Sequence, residues 1–107
     1  MTSTDLLAAR GYRPMSDLER RAVTAAADYR VTYPVASPPK RLARSLAAQL
    51  GTGLITDRQA WALWRLVHTF RRQIERIDPA LIDHAALHKD DPCPPPIRKA
   101  THQDPTP

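Results

Sequence analysis

Residues 56–77 read TDRQAWALWRLVHTFRRQIERI, and the reading of this run decides the fold. It is the longest helical pattern in the chain. It holds both tryptophans, the only phenylalanine and five of the sixteen Lys and Arg residues. Thr56 followed three residues later by Gln59 fits a capping box, in which hydroxyl and amide satisfy free donors of the first turn. Asp57 places negative charge where the helix dipole favours it, and Arg71, Arg72 and Arg76 fall toward the end that favours cations. No Gly or Pro interrupts the run. Ile77-Asp78-Pro79 then closes it, because the residue before a proline is pushed away from helical geometry. One continuous helix from Thr56 to Ile77 is the expectation.

At 100° per residue, Leu63, Leu66, Val67, Phe70, Ile74 and Ile77 share an apolar face that should be buried. Arg58, Arg65, Arg72 and Arg76 line the opposite face and would span about 27 Å on a straight helix. Trp61 falls beside this row, one turn from Arg65, while Trp64 and His68 sit between the two faces. Guanidinium groups hold phosphates bidentately, and an indole stacks on unpaired bases or on a neighbouring guanidinium. The pattern therefore suits a polyanion that carries flat rings. The competing readings are two core tryptophans and an ordinary solvated helix face. Against the latter, only Glu75 offers local neutralisation on that face.

Outward from this helix, composition sets bounds. At 107 residues, with 42% apolar and 6% aromatic content, the chain is one small domain whose alanine-rich make-up favours helices. The net charge of +5 is uneven. Residues 37–77 carry eight bases and two acids (+6), residues 1–36 five and four (+1), and residues 78–107 three and five (−2). Concentrated positive charge is a polyanion-binding signature. A single cysteine, Cys93, excludes an internal disulfide and fits a reducing compartment. Asp5 in place of a basic n-region argues against a secretory signal, and no run approaches the ~18 apolar residues of a membrane span. A cytoplasmic protein with no membrane partner is expected.

In chain order, a short helix through Asp5–Ala9 would end at Gly11, and Tyr12-Arg13-Pro14 reads as a connector. Ser16 and Glu19 form a second capping box opening a helix to about Arg30, with Leu18, Ala22, Ala25, Ala26 and Tyr29 as its apolar stripe. Val31–Ala36 is an extended connector. Ser37-Pro38-Pro39 starts a helix that runs to Leu50 and is capped by Gly51. Lys40, Arg41 and Arg44 lie near its N-terminus, where amides, dipole and bases together would favour a phosphate. Leu54 and Ile55 would act as a hydrophobic staple on the long helix. A last helix would use Asp78 as N-cap and Pro79 as first residue. From Lys89 the chain is proline-rich with little to bury, as in a disordered tail. The expectation is an all-α domain over residues 1–88, a bundle of four to five helices around the long one, with a tail over 89–107.

Other constellations are weaker. The stretch from Arg44 to Val67 resembles a helix-turn-helix, but Asp57 stands where an apolar residue should pack and the GTGLIT connector is too long. His84, His88 and Cys93 lack the four ligands of a structural zinc site. No phosphate loop or nucleophile motif is present, so neither enzyme nor cofactor is expected. Thr56, Gln59, Leu63, Leu66, Phe70, Arg71, Arg72 and Gln73 together resemble a pattern in small bacteriophage and mobile-element proteins; the resemblance implies an accessory protein and transfers no activity.

The leading expectation is non-catalytic, weakly sequence-specific binding of nucleic acid, DNA or RNA. Arg58, Arg65, Arg72 and Arg76 would hold phosphate, Lys40, Arg41 and Arg44 would form a second anchor, and Trp61 would stack. The alternative is a protein–protein module that inhibits or recruits a host or defence-system protein.

Overall fold

Ser16 opens the first helix, α1 (Asp17–Ala26), as its spacing requires: its hydroxyl accepts from the Glu19 amide while the Glu19 carboxylate accepts from the Ser16 amide. The structure is a computed structural model and describes residues 10–95. Four more helices follow: α2 (Pro38–Gln49), α3 (Asp57–Thr69), α4 (Arg71–Ile74) and α5 (Ala80–His88). Thr56 and Gln59 cap α3 reciprocally, and Ser37 caps α2. The chain is mostly helical, and α3 touches α1, α2 and α5 as the central element. The expected helix over Asp5–Ala9 lies outside the described residues, as does the expected tail from residue 96 onward.

The all-α expectation needs one correction. Tyr12–Pro14 is a strand, β1, and Leu54–Thr56 is a second, β2, paired antiparallel with Arg13 opposite Ile55. Neither three-residue segment has a readable period of its own, so one resembled a connector and the other a staple. Side chains fix the pairing. Arg13 donates from Nε to Asp57 at 2.8 Å and from both terminal nitrogens to Glu19 at 2.8 Å, joining β1 to α1 and α3. Burial pushes the Glu19 carboxyl upward, but Arg13 and the Ser16 amide and hydroxyl outweigh it and hold the group below the usual carboxylate range. With β2 inserted between α2 and α3, and Asp57 bound to Arg13, the connection is not that of a helix-turn-helix.

The long helix is also corrected. It breaks at Phe70 (φ −103°, ψ 26°), so α3 stops at Thr69 and α4 is a separate short turn. Two side-chain preferences explain the break. The Thr69 hydroxyl donates to the Arg65 carbonyl at 2.8 Å, a back-bond that loosens the ladder of the last turn. Beyond it, Phe70 meets Tyr33 edge-on at 4.7 Å, and Gln73 grips both backbone groups of Thr32, accepting at 2.6 Å and donating at 3.2 Å. The connector 31–33 thus bonds to the residues after the break, an arrangement that periodicity within one segment does not reveal.

Leu63, Leu66, Val67 and Ile74 are buried with Val23, Leu46, Ile55 and Leu81, while Phe70 and Ile77 pack half-buried against them. Three smaller expectations change. First, α1 ends at Ala26, not near Arg30, because Asp28 accepts from the Arg30 amide and pairs with its guanidinium, turning the chain and sending Val31 inward. Second, the residue at positive φ after α2 is Gly53 (φ 70°), not Gly51. Third, α5 begins after Pro79 with no side-chain cap, because the Asp78 carboxylate accepts from Arg21 at 2.8 and 2.6 Å.

Candidate functional site

Ion pairing sorts the basic residues into two groups. Among the described residues, Arg13, Arg21 and Arg30 hold Glu19, Asp57, Asp78 and Asp28, and His88 meets Asp91. Lys40, Arg41, Arg44, Arg58, Arg65, Arg72 and Arg76 have no carboxylate within 4.0 Å among those residues. All of these except the half-buried Lys40 are exposed. Arg13, Arg21 and Arg30 thus spend their charge internally, whereas Arg20 on α1 and the bases of α2, α3 and α4 are left to solvent.

They do not form one row. Arg58 and Arg65 lie on α3, about 10 Å apart along its axis. Arg72 lies beyond the break on α4, and Arg76 in the turn that follows it. The expected straight 27 Å line is thereby lost, because the Phe70 break redirects its second half. The second anchor also divides. Lys40 and Arg44 line a groove of about 410 Å³ shared with the end of α1, with Tyr29 and Tyr33 on its far wall. Arg41 instead donates to the Ala36 carbonyl at 3.1 Å.

Trp64 is buried, its ring tilted against His84 with centroids 4.2 Å apart, whereas Trp61 is half-buried. The Trp61 indole N–H donates to the Asp91 carbonyl at 2.8 Å, and the Arg65 guanidinium sits 5.0 Å over its ring while also reaching the Lys89 carbonyl. Base stacking on that face requires Arg65 to move aside. Residues 89–91, expected to begin a free tail, are held against α3 by these bonds. Beside the same helix, Pro38, Leu42, Trp61, Leu66 and Phe70 line an apolar groove of about 550 Å³ with Arg65 at its edge.

No family model, curated protein or solved structure matched the chain. The reading of function therefore rests on the residues themselves.

A cavity of about 240 Å³ gathers groups that are far apart in sequence: Glu19 and Asp57, both bound to Arg13, together with His84, His88 and Asp91. Sequence spacing gave no sign of this cluster, since its members come from different elements. Burial and the neighbouring His88 lower the His84 pKa. The two imidazoles lie 4.6 Å apart, and Cys93 bonds only to the Pro94 carbonyl. Among the described residues no group of three or more His, Cys, Asp or Glu is placed to hold a metal ion. The volume falls below the ~300 Å³ at which small-molecule pockets usually begin.

The residue that sequence reading misplaced most is Tyr29. Assigned to a buried stripe, it is 91% exposed at the tip of the Asp28–Arg30 turn. The Asp-x-Arg spacing at positions 28–30 was the available signal, because a short acidic side chain bonding two residues ahead favours a turn over helix.

Proposed function

We propose that this protein binds nucleic acid through the phosphate backbone, without catalysis and with little sequence specificity. One observation carries the reading: the basic side chains of α2, α3, α4 and the turn after it, Lys40, Arg41, Arg44, Arg58, Arg65, Arg72 and Arg76 among them, have no carboxylate partner among the described residues, and the acids that do form Arg pairs, Glu19, Asp28, Asp57 and Asp78, are held by Arg13, Arg21 and Arg30. Unneutralised guanidinium groups near a low-dielectric surface concentrate positive potential, and a polyanion gains by releasing its counterions there. Arg58 and Arg65 form the primary contact, Arg72 and Arg76 extend it past the helix break, and Lys40 and Arg44 serve a second stretch of backbone. The resemblance of the Thr56–Gln73 pattern to small phage and mobile-element proteins fits an accessory role of this kind.

The test is a salt titration against single- and double-stranded oligonucleotides. With four to six phosphate contacts, log affinity falls against log salt with a slope of roughly −3 to −5. A slope near zero refutes the reading. A second reading, a protein-binding module, is favoured by the apolar groove beside α3. It gains if nucleic-acid binding is absent and Leu42→Asp, in a variant that thermal unfolding shows to be folded, abolishes association with a defined protein partner.

A further inference from the structure

The groove between the end of α1 and the face of α2 combines three features. Its rim carries an aromatic ring open to solvent, Tyr29 at 91% exposure. Lys40 and Arg44 line it too, and neither has an acidic partner among the described residues. Its floor is small and apolar, formed by Ala26, Ala43 and Ala47 with Val31. The one acid in the groove, Asp28, is neutralised by Arg30 at 2.9 Å and held near pKa 2 by the hydrogen bonds of that residue. The net charge facing a ligand is thus that of Lys40 and Arg44.

Sequence explains why the trough is open. Alanines on both helices leave no side chains to fill it, and α1 ends at Ala26 just where α2 continues. The polar groups nearest the floor are already used, since the Tyr33 hydroxyl donates to the Ala26 carbonyl at 2.7 Å. A ligand entering here meets a flat ring, an alkyl floor and two cations, with few free donors or acceptors to read a base edge.

We propose that this groove is a base-stacking subsite for single-stranded nucleic acid, in which an unpaired base lies on Tyr29 and its phosphate is held by Lys40 and Arg44. The inference rests on the nucleic-acid reading above and assigns the stacking role to Tyr29: the ring of Trp61 is engaged by Arg65 at 5.0 Å and by Asp91, whereas Arg30 stands farther from the Tyr29 ring, at 6.0 Å, and is held by Asp28. A paired base in a duplex has its faces covered by its neighbours, so the subsite discriminates by strandedness. Stacking accepts any base, so it adds no sequence preference. The volume of about 410 Å³ lies within the range of small-ligand pockets, which suits a single nucleotide and not a helix.

The experiment compares full-length protein with Tyr29→Ala, Tyr29→Trp and the Lys40→Glu/Arg44→Glu double variant. Each is titrated with a fluorescent oligo(dT) and with a duplex of equal length at one salt concentration, after thermal unfolding has verified folding. Tyr29 is exposed, so its replacement leaves the core unchanged. The expected result is a loss of about 5- to 100-fold in single-strand affinity for Tyr29→Ala, a duplex affinity unchanged within twofold, and recovery in Tyr29→Trp. The double variant also weakens single-strand binding. Equal single-strand affinity for wild type and Tyr29→Ala overturns the subsite while leaving phosphate binding intact. Equal losses on both probes overturn the stacking role. Failure of the wild type to bind either probe removes the general reading, and the subsite with it.

Discussion

Replacing Glu19 tests the clamp that holds the ribbon to the helices. Its side chain is 8% exposed, it accepts two bonds from Arg13 at 2.8 Å, and it closes the capping box through Ser16 at 2.8 Å. Removing one partner of a fully buried pair costs about 3–5 kcal/mol. Here Arg13 is 40% exposed and keeps Asp57, so the stranded charge is partly solvated and the ionic share falls to about 1–2 kcal/mol. Loss of the capping arm adds about 1 kcal/mol. Glu19→Ala should therefore lose about 2–3 kcal/mol in urea unfolding at pH 7, lowering Tm by roughly 10–20 °C for a domain of this size.

The pH dependence separates the ionic part from the packing part. The folded-state pKa of Glu19 lies below its ordinary value of 4.5, so its ionic contribution is complete above that pH and is lost as pH falls through the folded value. Glu19→Gln keeps the volume and removes the charge. Its stability deficit should accordingly shrink between pH 7 and pH 3. A Glu19→Ala deficit below about 0.5 kcal/mol, the range of ordinary surface substitutions, or a Glu19→Gln deficit of the same size at both pH values, refutes the assignment.

Charge reversal at Arg58 and Arg65 together should reduce the magnitude of the salt slope by about 2 on duplex DNA, read by fluorescence anisotropy, whereas reversal at Arg21 should leave it unchanged because that side chain is committed to Asp78. Gly53→Ala should destabilise by about 1–2 kcal/mol, since its φ of 70° disfavours any Cβ and the new atom would push the Arg20 guanidinium aside; thermal melting checks it. Burial pushes the Tyr33 hydroxyl up to about 12, so one tyrosine should ionise late in an ultraviolet titration. Its share of stability is complete below the unfolded value near 10 and is lost as pH rises toward 12. Tyr33→Phe should remove that late step and cost about 1 kcal/mol through the lost bond to Ala26.

How far the chain could be read in advance depended on how local each signal was. The helix starts at Ser16, Ser37 and Thr56 are set within four residues, by hydroxyls reaching nearby amides, and all three stand where the spacing puts them. The burial of Leu63, Leu66 and Val67 follows equally from their period. What escaped was nonlocal or competitive. The ribbon joins residues 12–14 to residues 54–56, and no window of either segment contains the other. The break at Phe70 arises because Tyr33 and Thr32 compete with helix continuation for Phe70 and Gln73. For the candidate site, the exposure of Arg58, Arg65, Arg72 and Arg76 could be deduced from the helix wheel, but their division between two segments could not. Trp61 was read as lying beside the arginine row, with a core position as the competing reading, and the partner that decides its state, the Asp91 carbonyl, lies thirty residues away in a segment of no apparent period.

The pairing of Arg13 with Ile55 carries a consequence for the order in which the molecule is built. Helices condense from neighbours in sequence, but the ribbon waits for a large loop to close, and that closure costs entropy before any bond rewards it. During synthesis, the earliest-made strand must remain without its mate until Leu54–Thr56 has left the ribosome. Loss of the strand Tyr12–Pro14 would thus strike at the last step, the one that draws the two halves of the fold shut, and would strand the Glu19 carboxylate at the start of α1 as well.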